Sequence, residues 1–225
     1  QHTGGIVWET SFLLLNYLRQ RYSKGKYACG KTVLEVGAGC GLLGLGIYHS
    51  KLAKRVVLTE TDLVMPNLQR NVAINTSSLT TTTTNAHNDR LRVCSLDWTR
   101  CQQDCDKAKI KAHSMDMIVG TDVVFSTRFV RPLLATLQYL AHEQTTILLC
   151  LQERCPDSHR LLLDSAQDFG FLVNNISQQV TEVPTCQWGK VLDCWVLEFT
   201  VKPRSNKTDE DPVSSPKLKK LKTEL

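Results

Sequence analysis

A glycine-rich turn after an apolar segment is the part of this sequence best suited to chemistry. Val33, Leu34 and Val36 are typical of a buried parallel strand, and Gly37-Ala38-Gly39-Cys40-Gly41 follows them. Because glycine has no Cβ atom, such a turn lets a ligand approach the backbone closely. A helix after the turn would direct unpaired N–H groups toward that ligand. The segment therefore predicts a binding site for a nucleotide-like molecule.

The turn alone does not choose the ligand. The run from Gly39 to Gly44 also matches the dinucleotide pattern GxGxxG, so NAD and S-adenosylmethionine (AdoMet) fit equally well, and a purely structural turn is a third interpretation. Glu60 ends the next predicted strand, where a carboxylate accepts hydrogen bonds from the ribose of either cofactor; the alternative is a solvated loop carboxylate. Glu35 precedes the turn, where we expect its carboxylate to face the cofactor and to favour the cationic AdoMet over the phosphates of NAD.

Composition indicates one folded domain and a charged tail. The chain has 225 residues, 42% of them hydrophobic, which is enough for one core over residues 1–201. Residues 202–225 hold seven Lys/Arg against four Asp/Glu, so most of the net charge of +5 lies there and the tail is expected to be disordered. The nearly balanced remainder does not indicate a nucleic-acid-binding face. The basic run 215–222 is a candidate nuclear-import signal, with a solubilising tail as the alternative.

The cysteines indicate a reducing compartment. Nine cysteines are scattered along the chain, several in apolar strand-like runs, and we find neither a secretory leader nor a membrane-spanning run. We therefore expect a cytoplasmic or nuclear protein without membrane contact. Cys101-x3-Cys105 is the one close pair, and without a second pair it predicts no metal site. Because the chain begins with Gln1 inside apparently structured sequence, we expect part of the domain to precede it.

Strand-like and helix-like segments alternate along the chain, which predicts an α/β fold with a mostly parallel, doubly wound sheet. The last two strands are joined only by a loop, so we expect them to be antiparallel. Residues 76–89, rich in Thr, Ser and Asn, predict a loop. The predicted strands are 32–36, 56–59, 91–95, 115–120, 145–151, 171–177 and 191–201, and the predicted helices are 8–21, one from about 41, 62–75, 129–141 and 158–169.

An ordered series of motifs extends over roughly residues 5–200. The motifs are Val7-Trp8-Glu9, Leu34-Glu35-Val36-Gly37-Ala38-Gly39-Cys40-Gly41, Thr59-Glu60, Leu68-Gln69-Arg70-Asn71 with Asn75, Leu96-Asp97-Trp98, and Gly120-Thr121-Asp122-Val123-Val124-Phe125. The series resembles methyltransferase family 16, the seven-β-strand protein-lysine methyltransferases. The most similar group includes the methyltransferase-like 21 proteins and the valosin-containing-protein lysine methyltransferase, which also has a run similar to residues 147–154.

The resemblance implies a Rossmann-like class I methyltransferase with seven strands, the last one antiparallel. It implies a monomer that transfers methyl from AdoMet to a lysine amine of a protein substrate, of the chaperone, AAA ATPase or translation-factor type. Glu60 would hold the ribose, and Trp98 would pack near the adenine. The residues that would bind the cofactor are Trp8, Gly37, Ala38, Gly39, Glu60, Trp98 and Thr121. Methylation of a histidine, an arginine or a small molecule, and a non-catalytic binding module, are the alternatives.

Asp122 is the candidate catalytic residue. At a strand end beside the cofactor, its carboxylate is placed to receive and orient the ammonium of a target lysine. That carboxylate also raises the pKa of the amine, so deprotonation requires water or repulsion by the sulfonium. Capping of the following helix is the alternative role. The family motif Asp-x-x-Tyr here ends in Phe125, which retains the ring and lacks the hydroxyl.

Overall fold

Within the residues that the structure describes, seven strands form one sheet flanked by seven α-helices. The computed structural model describes residues 5–22, 29–76, 90–181 and 193–203. The strands are β1 (Thr32–Val36), β2 (Arg55–Glu60), β3 (Leu91–Ser95), β4 (Met115–Thr121), β5 (Ala141–Gln152), β6 (Phe171–Asn175) and β7 (Cys194–Val201). The helices are α1 (Glu9–Arg21), α2 (Leu42–His49), α3 (Met65–Thr76), α4 (Cys101–Ala108), α5 (Thr127–Leu140), α6 (Pro156–Ala166) and α7 (Ser177–Thr181).

The strand order is β3-β2-β1-β4-β5-β7-β6. Strands β1 to β5 pair in parallel, and β7 runs antiparallel to both β5 and β6. This confirms the predicted doubly wound, mostly parallel sheet with its antiparallel last strand. The order reverses between β1 and β4, and such a switch point opens a crevice at the carboxyl ends of the strands.

Alternate side chains of the central strands enter two separate cores. On one face, Val33 and Met117 pack in the core shared with α1, α2 and α3. On the other face, Leu34 and Ile118 pack in the core shared with α4, α5 and α6. Both faces of the central strands are covered by helices, so these strands are apolar at nearly every position. Glu35 is the exception in β1, and it lies on the face toward α2.

Several segments differ from the predicted elements. Strand β5 begins at Ala141 and not at residue 145, directly after α5 ends at Leu140. The predicted strand 171–177 ends at Asn175, because the Asn175 Oδ1 accepts a hydrogen bond from Ser177 N at 3.0 Å and thereby starts α7. The apolar pattern does not predict α4, a mostly polar helix in which Asp104 and Cys105 are the buried residues. Residues 77–89 of the predicted loop, 191–192 of the last predicted strand and 204–225 of the predicted tail lie outside the described residues.

Two further sequence predictions concern metals and membranes. Cys101 and Cys105 lie one turn apart on α4, with their sulfur atoms 3.9 Å from each other. Across the described ranges, no group of three or more His, Cys, Asp or Glu side chains is arranged to hold a metal ion. In the same part of the chain, no helix combines the length and the apolar character needed to cross a bilayer.

Candidate active site

A cavity of about 380 Å³ lies at the carboxyl ends of β1, β2 and β4, where the strand order reverses. Ligand-binding cavities commonly have volumes of about 300–1,000 Å³. The sheet topology brings all eight sequence-predicted site residues to the wall of this cavity. They are Trp8, Gly37, Ala38, Gly39, Glu60, Trp98, Thr121 and Asp122. The roles assigned to them individually stay predictions.

The turn after β1 requires glycine at its first position. Gly37 has a φ of 61°, which lies in the left-handed region that L residues rarely adopt. A Cβ atom at Gly37 would lie 2.9 Å from Cγ1 of Val123, closer than such atoms pack. The chain therefore turns tightly beneath the cavity before Leu42 begins α2.

Three N–H groups of this turn donate within the protein. Ala38 N donates to Thr59 O at 2.9 Å, and Gly41 N donates to Ala38 O at 2.7 Å. Gly39 N donates to Glu60 Oε1 at 3.2 Å. A phosphate bound at a glycine-rich turn takes its hydrogen bonds from N–H groups of this kind. The arrangement therefore disfavours the pyrophosphate of NAD at this turn.

Glu60 is anchored at the end of β2 with its carboxylate in the cavity wall. Besides the bond from Gly39, its Oε2 accepts a hydrogen bond from Thr61 N at 2.6 Å. A carboxylate offers about four acceptor positions, so acceptor capacity is left for hydroxyl groups of a ligand. Glu60 is half-buried, and its role as a ribose ligand stays a prediction.

Glu35 does not face the cavity, and the prediction that its carboxylate meets a cofactor cation is wrong. Its side chain is 1% exposed, and its Oε2 accepts a hydrogen bond from Gly44 N at 2.9 Å. Burial raises the pKa of Glu35 to about 8, the bond from Gly44 opposes this rise, and the charge of Glu60 adds to it. At neutral pH Glu35 is therefore mostly protonated, and it binds an N–H group in the first turn of α2.

Trp98 forms a flat apolar wall in the segment after β3. The Asp97 Oδ1 accepts hydrogen bonds from N and Oγ1 of Thr99 at 2.9 and 2.7 Å, which fixes the 3-10 turn Trp98–Arg100. The indole meets Phe129 edge to face, with ring centroids 6.4 Å apart. A rigid indole beside the glycine turn provides a surface on which a purine can pack.

The end of β4 is tied to the start of α1. The hydroxyl oxygens of Thr121 and Ser11 lie 2.9 Å apart, and Thr10 Oγ1 donates to Asp122 Oδ2 at 3.0 Å. Both Thr10 and Ser11 are buried although they are polar. These hydrogen bonds therefore position the N-terminal wall of the cavity against β4.

Asp122 makes protein contacts through both carboxylate oxygens. In addition to the bond from Thr10, its Oδ1 accepts a hydrogen bond from Gln152 N at 2.7 Å, and its side chain is 3% exposed. The alternative role as cap of the following helix is wrong, because the cap position of α5 is occupied by Ser126. The predicted contact with a lysine ammonium stays a prediction.

Trp8 supplies the cavity wall contributed by the N-terminal segment. The guanidinium of Arg154 lies over its ring, 4.0 Å from the ring centroid. The same guanidinium lies 3.6 Å from Asp122 Oδ2. Arg154 thus contacts two predicted site residues without lining the cavity itself.

The described residues that line the cavity include more carboxylates than basic side chains. Glu60, Asp97 and Asp122 are the carboxylates among its described lining residues, and Arg128 is the basic side chain there. The Arg128 guanidinium lies 4.4 Å from the ring centroid of Phe129. Arg100 lies 3.6 Å from Asp97 Oδ2 and Arg154 lies 3.6 Å from Asp122 Oδ2, so two of the three carboxylates are compensated by arginines. The third, Glu60, favours a cationic ligand over a phosphate.

The outer rim of the cavity is apolar. Phe125 is 48% exposed, and its ring centroid lies 5.5 Å from that of Phe129. Ile6 and Val7 are exposed on the N-terminal side of the same opening. Phe125 therefore lies exposed at the opening of the cavity.

Sequence reasoning missed four residues that build this site: Thr10, Ser11, Phe129 and Arg154. The sequence contains a signal for the first two, because small polar residues stand at the start of a helix whose next residues are apolar. In the structure both of these polar residues are buried. Arg154 ends the run 147–154 noted in the sequence, but that run does not indicate its partners Trp8 and Asp122, which are distant in the sequence.

Comparison with known proteins agrees with this fold. Residues 1–172 match the family described as lysine methyltransferase. EEF1A lysine methyltransferase 3 of Xenopus tropicalis is 32% identical over 148 residues, or 66% of this chain and 57% of that protein. Protein N-lysine methyltransferase METTL21A of Xenopus tropicalis is 29% identical over 157 residues, or 70% of this chain and 64% of that protein. The chain thus spans less than two thirds of the length of these relatives.

A solved structure shows the same fold at low sequence identity. The TehB-like SAM-dependent methyltransferase of Corynebacterium glutamicum superposes with a TM-score of 0.51 at 15% identity, covering 88% of this chain and 89% of that one. The family predicted from the ordered motifs is confirmed by the match over residues 1–172. The chain belongs to the lysine methyltransferase family.

Proposed function

We propose that this protein is an AdoMet-dependent protein-lysine N-methyltransferase. The observation that carries the proposal is the chemistry of the glycine turn. Its N–H groups at Ala38, Gly39 and Gly41 donate to acceptors within the protein, and one of those acceptors is the Glu60 carboxylate in the cavity wall. A turn arranged in this way suits the hydroxyls and positive charge of AdoMet better than the phosphates of NAD.

The residues of the cavity fit the parts of AdoMet. Glu60 would accept hydrogen bonds from the ribose hydroxyls, and Trp98 would pack against the adenine. The Glu60 carboxylate would favour a cationic ligand over an anion. When bound, AdoMet supplies a methyl group attached to a positively charged sulfur that is ready to leave as a thioether.

The chain's own task is to align a neutral amine and to exclude water. A free lysine has a pKa of about 10.4, so its ammonium must lose a proton before it attacks. The hydroxyls of Ser11 and Thr121 line the cavity next to Asp122, and they offer hydrogen-bond acceptors that can orient an amine. Phe125 and Val7 at the rim would pack along the aliphatic part of the lysine and limit the access of water.

The substrate we propose is a translation elongation factor. The relative from Xenopus tropicalis with the highest identity given above is named for EEF1A, which favours this class among the chaperone, AAA ATPase and translation-factor types. We also propose a cytoplasmic location with nuclear entry through the basic run 215–222, on the basis of composition.

Two measurements test the proposed function. Calorimetry with AdoMet, S-adenosylhomocysteine and NAD should give binding of the first two and none of NAD. The full chain is incubated with methyl-labelled AdoMet and, in separate reactions, with purified elongation factor 1A, a chaperone or an AAA ATPase. The elongation factor should be labelled, and mass spectrometry should locate the label on lysine.

The outcomes separate the alternatives. Label on histidine, arginine or a small molecule would keep the methyltransferase and refute the lysine assignment. AdoMet binding without transfer to any substrate, or to cell extract, would favour a binding module. The variant Glu143→Gln serves as a control, because Glu143 is exposed on β5 and is not among the residues that line the cavity.

A further inference from the structure

The N-terminal wall of the cavity is held by few contacts of its own. Ile6 and Val7 are about half exposed, and no side-chain hydrogen bond caps the start of α1 after Trp8. Yet Ile6, Val7 and Trp8 all line the cavity. The position of this wall therefore depends on contacts made from elsewhere in the fold.

Asp122 is the center of those contacts. Asp122 follows β4, and its carboxylate joins this strand to two other chain segments. Its Oδ2 accepts a hydrogen bond from Thr10 Oγ1 at the start of α1, and its Oδ1 accepts one from Gln152 N at the end of β5. Asp122 also has a φ of 52°, a conformation that costs a non-glycine residue energy unless its surroundings hold it. The Asp122 carboxylate is 3% exposed, so its contacts are with other parts of the protein and hold these three segments together.

A buried carboxylate needs a compensating cation, and Arg154 provides it. The Arg154 guanidinium lies 3.6 Å from Asp122 Oδ2 and donates a hydrogen bond to Gln152 Oε1. Its flat group covers the Trp8 ring at 4.0 Å from the centroid. The guanidinium thus connects the buried carboxylate to the aromatic wall through charge and stacking together.

We infer that Arg154 is a positioning residue that, through Asp122, tethers the Trp8 segment onto the AdoMet cavity. The inference rests on the proposed function for the identity of the ligand. AdoMet binds tightly only when the N-terminal segment is docked, because Trp8 is part of its wall. Loss of the tether lowers the fraction of docked molecules, and apparent affinity falls by the same factor.

The test compares Arg154→Gln with Arg160→Gln in the full chain. Arg160 is an exposed arginine paired with Asp157 on α6, so its variant controls for the loss of one positive charge. For Arg154→Gln we expect faster amide hydrogen exchange in residues 5–21 and an AdoMet KM raised about tenfold, the scale of a lost cation–π contact at a partly desolvated site. The kcat at saturating AdoMet and the KM for the protein substrate should stay within about threefold.

Two further variants keep the inference testable. Arg154→Lys retains the charge and loses the planar group, so it should recover part of the AdoMet affinity. If Arg154→Gln does not fold, the double variant Arg154→Gln/Asp122→Asn is used, because it removes both charges and leaves no buried carboxylate without a cation. Asparagine tolerates the positive φ of residue 122 better than most residues do. Its exchange in residues 5–21 should again be faster than in the parent.

Unchanged exchange in residues 5–21 together with unchanged AdoMet affinity would overturn the tether. A fall in kcat at saturating AdoMet in Asp122→Asn, with parental exchange, would also overturn it and would assign Asp122 to the lysine amine. The exchange measurement needs no ligand. If the parent protein neither binds AdoMet nor transfers methyl, the proposed function fails while the exchange result still decides whether the tether exists.

Discussion

Replacing Glu35 with glutamine should make the stability of the protein less dependent on pH. Glutamine retains an oxygen that can accept the hydrogen bond from Gly44 N, now at 2.9 Å from the carboxylate, and it cannot ionise. The substitution therefore removes the titration of residue 35 while it preserves the shape of the side chain.

The magnitude follows from the two pKa values of Glu35. The pKa is raised from 4.5 to about 8 in the folded protein, chiefly because the side chain is buried. A raised pKa means that the folded state holds its proton over a pH range in which the unfolded state has lost it. The contribution to stability is complete below pH 4.5 and is lost as the pH rises toward 8, by up to about 1.4 kcal/mol per pH unit. Between pH 5 and pH 8 the loss amounts to about 3–4 kcal/mol.

Urea unfolding followed by tryptophan fluorescence at pH 5, 6, 7 and 8 and constant ionic strength measures this effect. The free energy of unfolding of Glu35→Gln should approach that of the parent at pH 5 and exceed it progressively toward pH 8. Glu143→Gln, the same chemical change at an exposed position, should follow the parent curve. Parallel curves for the parent and Glu35→Gln would refute the argument, because they would show that Glu35 titrates alike in both states.

Three further predictions concern the cavity and its support. Glu60→Ala should weaken AdoMet binding by about 1.5–3 kcal/mol, the scale of hydrogen bonds to a charged group, with the fold retained; unchanged affinity in calorimetry would show that Glu60 does not bind the cofactor. Gly44→Ala should destabilise the protein by about 1–3 kcal/mol, because a Cβ atom there would lie 1.9 Å from Leu58 Cδ2. Gly5→Ala is the control, since a Cβ atom at Gly5 would have no neighbour within 4 Å. Equal melting temperatures for the two variants would contradict the packing argument. Phe125→Tyr should give an equal or higher methylation rate, since the ring is 48% exposed and the added hydroxyl reaches water; a tenfold fall in kcat would show that the ring packs too tightly for a hydroxyl.

The sequence predicts the sheet well because its strands are buried on both faces. The run Val56-Val57-Leu58 is apolar at consecutive positions, which is typical of a strand whose two faces are both buried. The structure accordingly has β2 at Arg55–Glu60. The antiparallel pairing of β6 with β7 is predicted correctly, although the structure places α7 between these strands where the sequence predicts only a loop. Helix α4 is not predicted, because its sequence is mostly polar.

Glu35 shows why local sequence does not fix the direction of a side chain. It precedes the glycine turn by two residues, and that proximity suggests a role in the cavity. In β1, however, successive side chains alternate between the two faces, and the alternation turns Glu35 toward α2. Only the register of β1 in the sheet, with Glu35 beside Leu58 and Val119, establishes this orientation.

The sequence by itself determined the family, the glycine turn and the eight residues that line one cavity, because ordered motifs at strand ends meet at the same edge of a parallel sheet. The tertiary structure alone decided what those residues contact. Asp122 contacts Thr10, Gln152 and Arg154, which lie 112, 30 and 32 positions away in the sequence. Contacts between distant segments depend on how helices and loops close over the sheet, and local residue patterns carry no record of that closure.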